Sequence, residues 1–185
     1  RAFYNCSRLI SVVLGKNLEK SGDFVFRGCY KIVEVINYSE LTVGDSRYEY
    51  DIEINYLNMK TEGTSDIVNK DGYLFYTYKD INYLLAYIGN ETELFLPDSY
   101  NGQSYEIYSY AFYKEENLTK VIIPDNVTSI RSGAFGYCSS LTDINIPDSV
   151  TDLENAFLNC TGLLSITIGA NVNYIRSDWF GGCTA

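Results

Sequence analysis

Five cysteines, the absence of histidine and three Pro-Asp pairs are the features of this 185-residue chain that could carry chemistry. Cys6 and Cys29 lie 23 residues apart, and Cys138, Cys160 and Cys183 follow one another at 22 and 23. Zinc or thioredoxin-like redox chemistry asks for Cys-x-x-Cys pairs or for histidine, and the chain has neither. Cysteines at one repeat position form a column with a spacing of about 4.8 Å, short enough for a disulfide, yet their Cβ vectors run parallel and do not converge. All five are therefore expected to be reduced, buried and packed as small apolar side chains. Asp98, Asp125 and Asp148 follow Pro97, Pro124 and Pro147 and make a second column. Capping of turn amides accounts for them, since no calcium-loop pattern surrounds them. Asn5, Asn37, Asn90, Asn117, Asn126 and Asn159 each begin an N-x-S/T triplet, which matters only in a eukaryotic secretory pathway. Without histidine the commonest general base is missing, and no nucleophile and base can be paired. The chain is expected to be no enzyme and to hold no cofactor or metal.

The net charge of −10 argues against nucleic acid, whose phosphates are bound by clustered Lys and Arg. No apolar run approaches the roughly 20 residues of a membrane-spanning helix, so direct membrane insertion is not expected, and no signal-peptide pattern opens the chain. Both ends fall inside a repeated phrase, which suggests a piece of a longer protein.

That phrase is what must position everything else. Ala134-Phe135, Cys138, Leu141, Ile144 and Ile146 recur 22 positions later as Ala156-Phe157, Cys160, Leu163, Ile166 and Ile168. Further copies begin at Ala2-Phe3, Val25-Phe26 and Ala111-Phe112, and Trp179-Phe180 with Cys183 starts another. The L-x-x-I-x-I part alternates apolar and polar residues, as a strand with one buried face does. Prolines stop three of these strands. The ten or so residues around each Ala-Phe leave room for one or two turns of α- or 3₁₀-helix. One coil cannot bury both its Phe and its Ile, so neighbouring coils must stack.

Ile130, Ala134-Phe135, Cys138, Leu141, Ile144, Ile146-Pro147 and Val150 resemble, position by position, the BspA-like class of bacterial leucine-rich-repeat proteins. The resemblance spans residues 1–37 and about 91–185. It implies a secreted or cell-surface setting and adhesion to a host or extracellular-matrix protein or to a glycan. The expected fold is a right-handed β-α solenoid of the leucine-rich-repeat kind. Parallel strands would line its concave face and short α or 3₁₀ segments its convex face. Three regions are expected: 1–37 and 91–185 as repeats, and 38–90 as a Tyr-rich antiparallel β insertion between them.

In that insertion Tyr48, Tyr50, Ile52, Ile54 and Tyr56 alternate with polar residues and predict a strand. Tyr73–Tyr76 and Tyr83–Tyr87 predict a hairpin with a loop of four to six residues. The insertion either covers repeat surface or serves as a binding flap. The outward strand positions give Glu34/Ile36, Glu93/Phe95, Lys120/Ile122 and Asp143/Asn145 as a candidate binding set on the concave face. Its apolar column, Val13, Ile36, Phe95 and Ile122, marks a surface that is covered or binds a partner. The preferred function is non-enzymatic binding or adhesion; the alternative is a purely structural spacer.

Overall fold

The computed structural model describes residues 2–44, 52–53, 56–176 and 178–185. The chain divides into two compact units, Arg1–Asp66 and Ile67–Ala185.

In the first unit, strands β1 (Ser11–Leu14), β2 (Glu34–Asn37) and β5 (Asn58–Lys60) form a parallel sheet in the order β1-β2-β5. Strands β3 (Val43–Gly44) and β4 (Ile52–Glu53) pair in parallel beside it in sequence. Of the expected Tyr48–Tyr56 strand, Ile52–Glu53 forms β4 and Tyr56 lies outside any strand, packed against the core of this unit; the rest falls outside the described residues. Val12, Leu14, Phe26, Cys29, Ile32, Val35 and Val43 make the core of this unit.

The second unit is built from two sheets. Strands β9 (Glu93–Phe95), β11 (Lys120–Ile122), β13 (Asp143–Ile146) and β15 (Ser165–Ile168) form one parallel sheet. Strands β8 (Ile81–Tyr87), β10 (Tyr105–Ile107), β12 (Val127–Ile130) and β14 (Asp152–Leu153) form the other. Beyond β8 this second sheet continues antiparallel through β7 (Tyr73–Tyr78) and β6 (Val68–Lys70). Each coil therefore contributes two strands, one to each sheet. Leu94, Val121 and Ile144 point inward from one sheet, and Ile107, Ile130 and Leu153 from the other. Phe112, Phe135, Phe157 and Phe180 stack ring on ring between coils, with centroids 5.1, 5.5 and 5.9 Å apart and planes within 10° of parallel.

The expected β-α solenoid is corrected by this arrangement: no helix occurs among the described residues, and the fold is a parallel β-solenoid. The amides around Ala134-Phe135 explain why. Those of Ala134, Gly136 and Cys138 donate to carbonyls three residues back within their own coil. Those of Gly133, Phe135 and Tyr137, between them, donate to Asn155, Ala156 and Leu158 of the next coil. A helix needs consecutive bonds within one segment, and here every second donor goes to the neighbouring coil. The coil before it does the same, with Tyr110, Phe112 and Lys114 donating to Ser132, Ala134 and Gly136. Tyr137 (φ 62°) and Asn159 (φ 56°), each just before a Cys, are left-handed and would break any helix.

The hairpin loop is also shorter than expected. Only Lys79 and Asp80 separate β7 from β8, both with positive φ (49° and 63°), which is the type I′ turn that suits the twist of paired strands.

Candidate functional site

Alternation along β9, β11 and β13 turns one residue in two away from the core. Glu93, Lys120 and Asp143 make one outward column, and Phe95, Ile122 and Asn145 the next. Cα pairing sets Glu93 beside Lys120, Phe95 beside Ile122, and Ile122 beside Asn145. All six are exposed, Phe95 at 65% and Ile122 at 44%. Phe95 is anchored through its backbone, since its carbonyl accepts the Tyr73 hydroxyl at 2.9 Å, while its ring stays open. Among the described residues no ion pair joins Lys120 to Glu93 or Asp143, so these three charges face water.

The two remaining expected residues, Glu34 and Ile36, lie on β2 in the first unit and are buried. Glu34 is fully covered: it meets the Lys60 ammonium at 2.8 Å, and its carboxylate accepts the Asp66 amide at 3.3 Å. Lys60 also pairs with Asp66 and donates to the Thr64 carbonyl at 3.0 Å, so residues 60–66 fold back over β2. Burial alone would lower the Lys60 pKa; its bonds to Asp66 and Glu34 outweigh this and raise it. Val13, the outward neighbour of Ile36 on β1, remains exposed.

The cysteine column is a hydrogen-bond ladder that sequence reasoning did not anticipate. Cys29, Cys138, Cys160 and Cys183 donate through sulfur to the carbonyls of Phe3, Phe112, Phe135 and Phe157, at 2.9 to 3.2 Å. No disulfide joins the five. The expectation that all are buried needs correction. Cys29, Cys138 and Cys160 are, whereas Cys183 is half-buried and Cys6, in the first coil, is exposed. Burial pushes the Cys160 thiol up to about 12 and raises Cys29 and Cys183 as well.

In the Pro-Asp column, Asp148 accepts the Ala170 amide at 2.7 Å, and its own carbonyl accepts the Asn171 side chain at 2.7 Å, a capping role. Among the described residues no three Asp, Glu or Cys side chains converge as metal ligands would.

Two side-chain clusters escaped the sequence reading. Arg131 donates to Glu106 at 2.6 Å and lies 5.1 Å from the Tyr83 ring centre, on the six-stranded sheet. On the turns, Tyr113 packs edge to face with Tyr110 and Tyr137, and the Lys114 ammonium sits 5.5 and 5.8 Å from the rings of Tyr113 and Tyr137. The 23-residue offset between Tyr110 and Gly133, and between Tyr113 and Gly136, held the signal: a Tyr over a Gly of the next coil.

Among solved structures, the backbone is similar to a leucine-rich cell surface protein from Faecalibacterium prausnitzii, with a TM-score of 0.53 and 20% identity over 99% of this chain. The chain spans 60% of that protein's length. The pneumococcal vaccine antigen PcpA matches 92% of this chain and 53% of its own, at 21% identity and a TM-score of 0.46. A leucine-rich-repeat protein from Bacteroides capillosus matches 56% of this chain and 99% of its own, at 25% identity and a TM-score of 0.43. No curated protein matches. Six copies of the BspA type leucine rich repeat region match residues 1–88 and 105–185, and the chain belongs to that family.

Proposed function

We propose that this chain is a non-enzymatic module of a bacterial cell-surface or secreted leucine-rich-repeat protein, and that it binds a protein or glycan partner through the outer face of β9, β11 and β13. The observation that carries this reading is the pair Phe95 and Ile122, adjacent in register and open to solvent, flanked by the charged column Glu93, Lys120 and Asp143 and by Asn145. Apolar centre and polar rim are the composition of binding surfaces, and an exposed aromatic near the centre is the residue type most often found as a hot spot. Membership of the family and the description of the Faecalibacterium protein as a cell surface protein support the setting.

The test is binding of the purified chain to immobilised extracellular-matrix proteins and to a glycan array, beside Phe95→Ala and Lys120→Glu. Both variants alter exposed side chains and should keep the parent's melting temperature. Binding by the parent that weakens at least about tenfold in Phe95→Ala, the loss of one hot spot, supports the assignment. Binding that neither variant changes removes it from this face. A parent that binds nothing favours the spacer reading.

A further inference from the structure

The outer face repeats at the spacing of its strands, and that spacing selects among partners. Neighbouring strands lie about 4.8 Å apart, and two residues along one strand cover about 6.6 Å. Glu93, Lys120 and Asp143 thus present negative, positive and negative charge at steps of about 4.8 Å. Phe95, Ile122 and Asn145 run beside them about 6.6 Å away. Successive same-face residues on an α-helix, three or four positions apart, advance about 4.5–6.0 Å with a mean near 5.4 Å. On an extended strand they advance about 6.6–6.8 Å. Over the two steps from Glu93 to Asp143 a helix falls out of register by about 1.2 Å and a strand by about 3.8 Å. Charged groups tolerate the first offset within hydrogen-bonding reach and not the second. A helix with its side chains is about 10–12 Å wide and covers both columns at once.

Alternating sign decides the rest. A neutral glycan offers these groups hydroxyls but no opposite charge, and a polyanionic one meets two carboxylates. A helix with Lys, Glu and Lys on one flank and apolar residues on the other pairs with all three charges and covers Phe95 and Ile122.

We infer that the outer face of β9, β11 and β13 receives an amphipathic α-helix of a partner protein, lying across the strands. Its two apolar residues, three or four apart, sit on Phe95 and Ile122, and its basic, acidic and basic residues meet Glu93, Lys120 and Asp143. This rests on the proposal that the same face is the binding surface, and it names the partner's chemistry.

The probe is a synthetic 18-residue alanine-rich helix with leucines four apart and an adjoining Lys, Glu, Lys series at the same spacing. A second peptide carries Glu, Lys, Glu in place of that series, and a third carries a central proline. Titration by fluorescence anisotropy should show the first peptide binding at least about tenfold more tightly than the second, as reversal of three pairs demands, and the third not at all. Lys120→Glu should weaken the first peptide and improve a version whose central Glu is replaced by Lys. Equal binding of the first two peptides, or survival of binding in the proline peptide, overturns the helix. Matrix-protein binding that Phe95→Ala abolishes, with no helical peptide bound, overturns the helix and keeps the face. Neutral oligosaccharide binding lost in Phe95→Ala, with no peptide bound, also overturns the helix and assigns the face to a glycan.

Discussion

Cysteine at the repeat position does two things that no other small residue combines: it fills an apolar site and donates a weak bond to a Phe carbonyl one coil away. Because its donor depends on the proton, the ladder is pH-sensitive. Burial holds the folded Cys160 pKa at about 12 against 9.0 for a free thiol. The folded state keeps this proton more tightly than the unfolded one, so stability is complete below pH 9 and falls as pH rises from 9 toward 12. The slope is at most about 1.4 kcal/mol per pH unit for this group. Urea melts at about pH 8 and about pH 10.5 check it, and Cys160→Ala should flatten the difference. A thiol probe under native conditions should label Cys6 and Cys183 and leave Cys29, Cys138 and Cys160 unmodified until denaturant is added. The residue before each cysteine is equally constrained. Asn5, Tyr137 and Asn159 are left-handed there, and glycine stands at Gly28 (φ 84°) and Gly182 (φ 77°); Lys114 is left-handed at the equivalent position of its coil, before Glu115. At Gly182 an added Cβ would lie 2.0 Å from the Asn159 side-chain oxygen. Lys114, with φ 62°, has no such release, but its ammonium lies over the Tyr113 and Tyr137 rings, so in Lys114→Asn the relief of the left-handed backbone is offset by the lost ring contacts and chemical denaturation should show a net change within about 0.5 kcal/mol.

At the scale of the element, the period of 22 to 23 and the inward Ile and Phe were legible because burial on one face imposes them. The strands β9, β11, β13 and β15 were found by alternation, and with them six of the eight candidate residues. The second strand of each coil was not. Val127 and Ile130 are three apart because the pairing of β10 with β12 shifts between Tyr105 and Glu106, and a bulge of one residue hides the period of two. The turn around Ala134-Phe135 has helical composition and length, but its amides alternate between coils, and no local propensity encodes where a neighbour's carbonyl stands. That Glu34 and Ile36 are covered is not legible for a related reason. Their outward direction is readable, whereas the fold-back of residues 60–66 over them depends on Lys60 and Asp66 meeting Glu34. The stacked rings support a quantitative expectation: Phe135→Ala or Phe157→Ala should cost about 3–5 kcal/mol, since each ring is fully buried between two others. A thermal melt unchanged by both would contradict the stacked core.

For the whole molecule, the two units differ in what they can sustain alone. The unit from Ile67 holds a continuous core from Tyr73 to Trp179 that includes three of the four stacked Phe rings, with Phe180 packed against it. Its six-stranded sheet ends in the antiparallel strands β7 and β6, which pair the edge of β8 that a further coil would otherwise have to cover. Among the described residues the unit up to Asp66 has a three-stranded and a two-stranded sheet and a core cluster of seven buried residues, and a domain of about that length buries a smaller share of its surface and is marginal. Residues 67–185 produced alone should therefore melt in one cooperative transition, with the far-ultraviolet spectrum of a β-sheet protein. They should also keep the binding of the parent, because Glu93, Phe95, Lys120, Ile122, Asp143 and Asn145 all belong to this unit. Residues 1–66 alone should melt at a lower temperature or not fold. A 67–185 fragment that is unfolded would show that its core is not self-sufficient, and a folded fragment that has lost the parent's binding would move the site out of the outer face of β9, β11 and β13.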